Sequence, residues 1–116
     1  MATDQDLADE LVGTIRTWVR KDVLPVASDL EHADAYPEAL VAQMREFGLF
    51  GATIPAEYGG LDLDVMTYAR IIEELAYGWM TLSGVLNTHM IASNLIKRFG
   101  TDEQRARFLP RLASGE

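Results

Sequence analysis

His32 and His89 are the only imidazoles in this chain, and it has no cysteine. Disulfides, thiolate metal ligands and a cysteine nucleophile are excluded together. No His-Glu-x-x-His pair and no carboxylate–histidine cluster stands at metal spacing. Gly59-Gly60 is not a phosphate cradle, because neither a G-x-x-x-x-G-K run nor G-x-G-x-x-G is present. Glu73-Glu74 is a carboxylate pair of the kind that can shift its own pKa values. Adjacent helix positions point about 100° apart, however, so the pair reads as solvated surface. His89 reads as a hydrogen-bonded core residue rather than a base. No catalytic residue is assigned. What remains is the run from Leu75 to Ile96, which holds no Asp, Glu, Lys or Arg over 22 residues. Thr81, Ser83, Asn87, Thr88, His89, Ser93 and Asn94 are too many polar groups for a lipid-facing helix, since each costs about 1–3 kcal/mol if left without a partner. The run reads as a helix buried on most sides and lined with small polar groups. It either packs tightly on its neighbours or walls a cavity.

Helical periodicity positions that run. Leu7, Leu11, Ile15, Trp18 and Val19 make an apolar stripe on a first helix from about Asp4 to Glu31, which Pro25 must kink or split. Pro37 suits the first turn of a second helix, with Leu40, Val41, Met44 and Phe47 on its apolar side and Gly48 as its C-terminal cap. Residues 49–62 form a long apolar loop, a kind usually pinned to something. A third helix over about Asp64 to Tyr77 places Val65, Ala69, Ile72 and Ala76 inward and Arg70, Glu73 and Glu74 outward, and Gly78 breaks it. The charge-free helix follows, ending near Phe99-Gly100. Thr101 and Gln104 stand at capping-box spacing for a last helix whose apolar side is Phe108, Leu109 and Leu112. The fold class is all-α, a compact bundle of about five to six helices. Trp18, Phe47, Phe50, Tyr58, Tyr68, Trp79, Phe99 and Phe108 read as core or interface rather than a cofactor cage.

At 116 residues and 48% apolar composition, the chain can bury a core as one domain. Its formal charge of −8 disfavours nucleic acid and anionic membranes, whose phosphates need cationic partners. The acidic N-terminus MATDQDLADE has no apolar stretch of signal-peptide type, and a cytoplasmic location is expected.

Several short motifs follow one another in order. Phe47-Gly48-Leu49-Phe50-Gly51 precedes Ile54-Pro55-Ala56-Glu57-Tyr58-Gly59-Gly60. Ile72-Glu73-Glu74-Leu75-Ala76 comes next, and then Phe99-Gly100-Thr101-Asp102-Glu103-Gln104-Arg105. Phe108-Leu109-Pro110 and Leu112-Ala113-Ser114-Gly115-Glu116 close the series. In this order the sequence resembles the N-terminal helical domain of the acyl-CoA dehydrogenases over essentially its whole length. The family often carries Gly where Asp62 stands here. Asp tolerates left-handed backbone better than most residues, so the turn is expected to survive.

The resemblance implies that residues 1–116 are one of three parts of a subunit. A β-barrel and a C-terminal helical domain are absent from this chain. The parent would bind FAD and oxidise an acyl-CoA thioester at Cα–Cβ, with its base and most flavin contacts in the missing parts, and would form a homo-oligomer. No FAD is expected on this chain alone. The resemblance assigns to Ser83, Gly84, Asn87, Thr88 and Ile91 the wall of the acyl pocket. Residues 84, 87, 88 and 91 fall on one helical face, small and polar where a sealed core would be Leu and Ile. Close helix packing at Gly84 is the alternative for that face. Two further readings stay open for the chain. One is a helical interaction module or truncated subunit that completes a site with a partner chain. The other is a sister flavoenzyme such as an acyl-CoA oxidase.

Overall fold

The structure is a computed structural model describing residues 3–116. Among these residues there are six α-helices and no strand. They are α1 (Asp4–Trp18), α2 (Leu24–His32), α3 (Glu38–Glu46), α4 (Val65–Gly78), α5 (Met80–Phe99) and α6 (Asp102–Ser114). Short 3-10 turns at Leu49–Gly51 and Ala56–Tyr58 interrupt the loop between α3 and α4. The molecule measures 43 × 38 × 19 Å, about two helix diameters thick.

Local chemistry starts most of these helices. Thr3 caps α1 and Thr101 caps α6, each in a reciprocal box, with Asp6 and Gln104 respectively answering the cap's own N–H. The Asp64 carboxylate accepts from Thr67 N at 2.8 Å to start α4. Those Thr67 hydrogen bonds hold the Asp64 carboxyl below its ordinary range. Pro37 stands one position earlier than expected, at the N-cap of α3, and Gly48 ends that helix with φ at 79°.

The first helical run is divided beside Pro25, as expected, but without leaving helical backbone. Val19–Val23 instead form a π-helical turn that joins α1 to α2. Pro25 has no N–H to offer the Lys21 carbonyl, and its ring would crowd that carbonyl in a regular turn. A wider turn immediately before it removes the conflict. The C-terminus of α4 presses on the same turn: a Cβ at Gly78 would lie 2.4 Å from Val19 Cγ1.

The core is contributed mainly by Val12, Ile15, Trp18, Val19 and Val23 with Met44, Leu49, Ile54, Ile71, Leu75, Leu82, Leu86 and Leu109. On α1 the buried stripe is Ala8, Val12, Ile15 and Val19, with Trp18 beside it. Leu7, expected inward, is 54% exposed. On α4 the expected inner face is rotated. Thr67, Ile71 and Leu75 are buried, whereas Val65, Ala69 and Ala76 are exposed and Ile72 lies at the margin. Because α4 carries apolar residues nearly all round, its periodicity did not select one side. On α6 Leu109 and Ala113 are buried, while Phe108 is exposed.

Polar groups stitch the layers. Arg16 pairs with Glu74 at 2.8 Å, Arg20 approaches the same carboxylate at 3.6 Å, and Arg70 meets Asp9 at 2.7 Å. The Glu74 side chain is only 13% exposed, so it is an α1–α4 tie and not the solvated group expected. Its neighbour Glu73 is exposed. Trp18 Nε1 donates to Gln43 at 3.0 Å and Trp79 Nε1 to Glu31 at 2.7 Å. Trp79, in extended backbone, marks the break between α4 and α5, one residue beyond the expected Gly78.

Candidate functional site

The charge-free segment spans the last turn of α4 and most of α5, and α5 divides its side chains between two faces. Leu82, Ser83, Leu86, Met90 and Ser93 are buried against the core. Met80, Gly84, Asn87, Thr88, Ile91, Leu95 and Phe99, with Thr81, Ala92, Asn94 and Arg98 among them, form an exposed stripe on the other side, running about 28 Å along the helix at 1.5 Å per residue. The expectation of a helix buried on most sides is corrected: within this chain α5 is covered on one side only. An exposed helix face ordinarily carries charge, and this one has none until Arg98 in its last turn, with Ile91 56% and Phe99 77% exposed. It has the composition of a covered surface without a cover.

Gly84, Asn87, Thr88 and Ile91 are brought together on that open face. Ser83 is not. It is turned inward, and its hydroxyl donates to the Met80 carbonyl at 2.7 Å. Thr88 is satisfied in the same local way, donating to Gly84 O at 2.8 Å, as is Ser93 to His89 O at 2.9 Å. These three hydroxyls thus enter the helix without unmet donors. Among the described residues no buried side-chain nitrogen or oxygen lacks a partner.

Gly84 is not a close-packing glycine within this chain. A Cβ built there meets nothing within 4 Å. Substituting Gly84→Ala should therefore raise the stability of the 116-residue chain by up to about 1 kcal/mol, the helix-propensity difference. Thermal unfolding followed by circular dichroism checks this. A lowered melting temperature would show that the face is packed after all.

Tyr68 enters the site from α4. Its hydroxyl donates to Asn87 Oδ1 at 3.1 Å, and burial pushes its phenol up to about 12. No sequence signal pointed to it beyond its place among the aromatic residues, because the contact depends on how α4 and α5 cross.

His89 lies on the other side of α5. Its Nε2 is 3.0 Å from Phe50 O and 2.9 Å from Leu112 O. Both partners are carbonyls, so Nε2 carries the proton and donates to them. The Phe50 ring meets the imidazole edge-on at 4.8 Å. His89 therefore ties the 49–51 turn and α6 to α5, the structural part expected of it. Asp62 has φ at 53°, so the aspartate does occupy left-handed backbone in the loop.

No group of three or more His, Cys, Asp or Glu that could hold a metal occurs among the described residues, and none of their helices is long and apolar enough to cross a membrane.

The family described as "Acyl-CoA dehydrogenase, N-terminal domain" matches residues 5–116. An acyl-CoA dehydrogenase of Bacillus subtilis is 34% identical over 103 residues, covering 88% of this chain and 27% of that protein. A short-chain specific acyl-CoA dehydrogenase of Clostridium acetobutylicum is 31% identical over 117 residues, covering 100% of this chain and 30% of its own length. The solved butyryl-CoA dehydrogenase of Megasphaera elsdenii superposes with a TM-score of 0.87 at 26% identity, over 99% of this chain and 30% of that one. This chain thus spans under a third of the length of these relatives.

Proposed function

Since the chain belongs to the acyl-CoA dehydrogenase family, as its N-terminal domain, we propose that it forms part of an FAD-dependent enzyme that oxidises acyl-CoA thioesters at Cα–Cβ. Its own share is the wall of the acyl pocket, and it is inactive by itself. The carrying observation is the α5 stripe, where Gly84, Asn87, Thr88 and Ile91 lie open, uncharged and mostly small. Gly84 leaves a groove for an alkyl chain, and Ile91 and Leu95 offer apolar contact beside it. Ser83, grouped with these residues by the resemblance, acts from behind the wall by holding the first turn of α5.

The residues of this chain do not fit a flavin site by themselves. No glycine-rich phosphate loop is present, and the α5 stripe has no cation before its last turn to meet a pyrophosphate. When bound in the parent, the flavin would supply the hydride acceptor. The work of the residues here is to hold the acyl chain and exclude water from it. The parent is proposed to be a homo-oligomer.

The test compares the 116-residue chain with the full-length polypeptide that carries it. The full-length protein should be yellow and reduce an artificial electron acceptor with a short acyl-CoA. The isolated chain should be colourless, helical and inactive. It should also enhance the fluorescence of a hydrophobic dye, because its α5 stripe is uncovered. A full-length protein that binds flavin yet leaves every acyl-CoA unoxidised would overturn the reading. So would stoichiometric flavin on the isolated chain.

A further inference from the structure

We propose that Tyr68 is a positioning residue, fixing the Asn87 carboxamide as a hydrogen-bond donor to a neutral polar atom carried by the acyl chain beyond the thioester. This rests on the reading of the α5 stripe as the acyl-pocket wall.

An asparagine side chain has one acceptor oxygen and two N–H donors. Here the oxygen takes the Tyr68 proton at 3.1 Å. Both N–H groups find no acceptor among the described residues. An unrestrained asparagine on a helix surface turns freely. This one is held by a half-buried phenol on a different helix. Burial pushes that phenol up to about 12, so it remains a neutral donor at any ordinary working pH.

Within one turn of Asn87 the stripe has no other donor to spare: Thr81, Asn94 and Arg98 lie six or more residues away along α5. The Thr88 hydroxyl proton is committed to Gly84 O at 2.8 Å, so it presents lone pairs outward. Met80, Gly84, Ile91, Leu95 and Phe99 bring no side-chain donor. Once the face is covered, an unpaired amide would be a costly buried group. A ligand acceptor removes that cost.

The absence of charge narrows the ligand class. No Lys or Arg occurs between Glu74 and Lys97, and Arg98 lies eleven residues, about 16 Å, along α5 from Asn87, so a carboxylate beside Asn87 would be desolvated without a nearby counter-charge from this helix. The fitting group is a carbonyl, ether or hydroxyl oxygen.

The experiment uses the full-length holoenzyme and matched acyl-CoA pairs. One member of each pair is a straight hydrocarbon chain. In the other, one methylene is replaced by oxygen, moved in turn along each carbon beyond the reacting two. In the wild type, one oxygen position should be used at least as well as the hydrocarbon. Tyr68→Phe should lower the oxa-to-hydrocarbon ratio of kcat/KM there about five- to tenfold, the value of one hydrogen bond near 1 kcal/mol. Asn87→Leu should lower it at least as far. The double variant should match Asn87→Leu alone, because both changes remove one unit. A merely structural role for Tyr68 would depress both substrates alike and leave the ratio unmoved. That result, with a Gly84→Leu control still losing activity in proportion to acyl length, overturns this inference and leaves the pocket wall standing. A Gly84→Leu profile flat with length removes the wall and this inference together.

Discussion

Gly84→Leu in the full-length enzyme should shorten the range of acyl chains it accepts. The substitution adds four heavy atoms to the stripe at a point where a Cβ meets nothing within 4 Å of this chain. The new side chain will therefore occupy the groove rather than push the domain's own helices apart. Each methylene of substrate that can no longer be buried should cost about 0.8 kcal/mol, roughly fourfold in kcat/KM. The loss compounds along the chain, so a substrate with four displaced methylenes should fall by about two orders of magnitude. The shortest substrates should be untouched. If Gly84 instead admits a helix from another part of the parent, leucine would overpack that contact and cost roughly 1–3 kcal/mol of stability. All lengths would then suffer alike. Measuring kcat/KM against acyl length, with melting temperature alongside, separates the two. A uniform loss together with a lower melting temperature would falsify the pocket assignment.

The largest stability effect is expected at Gly60. A Cβ there would lie 2.0 Å from Ile54 O and 2.5 Å from Ile54 C, both backbone atoms. The neighbouring backbone is tied down by Leu61 N to Gly51 O at 2.8 Å, Asp62 N to Ile54 O at 3.0 Å and Leu63 N to Ala52 O at 2.8 Å. One methyl must force these strands of loop apart. Gly60→Ala should therefore cost about 3–5 kcal/mol, the sum of overpacking and about two hydrogen bonds. In a domain of this size that lowers the melting temperature by roughly 12–20 °C. Gly59→Ala is the internal control. Gly59 has φ at 89° but nothing within 4 Å of a Cβ, so only left-handed strain applies, about 1–2 kcal/mol. Equal melting temperatures for the two variants would refute the close approach at Gly60.

What the sequence made legible was local. Thr101 with Gln104, Gly48 after Phe47, and the left-handed Asp62 depend on residues within a few positions, and each stands where expected. The family resemblance had the same basis, short motifs in order. What stayed hidden depends on how helices cross. The buried side of α4 could not be picked from a helix apolar on several faces. Ser83 sits one residue before Gly84, and that step of about 100° takes it off the stripe and onto the buried side of α5. Glu74 looked like surface until Arg16 and Arg20 arrived from α1. Tyr68 acquires its part only because the packing of α4 on α5 brings its hydroxyl within 3.1 Å of Asn87 Oδ1. The stripe was visible as a gap in charge, but its exposure was not, because a run without charge does not tell which of its sides the other helices of this chain cover.

The π-helical turn at Val19–Val23 also settles a question of phase. The buried line along the first helical run is Ala8, Val12, Ile15, Val19, Val23 and Ala27, with Trp18 buried beside it. From Ala8 to Ala27 is 19 steps, whereas five turns of regular α-helix take about 18. Without correction, Ala27 would arrive about 100° away from the line that Ala8 begins. The π turn takes up the one surplus residue and returns α2 to the side on which α1 is buried. From Ala8 to Ala27 the run is thus five helical turns with a single residue inserted. At that place alone, loss of one residue leaves both flanking helices in register with the core; elsewhere along α1 or α2 it would rotate one half away from the other.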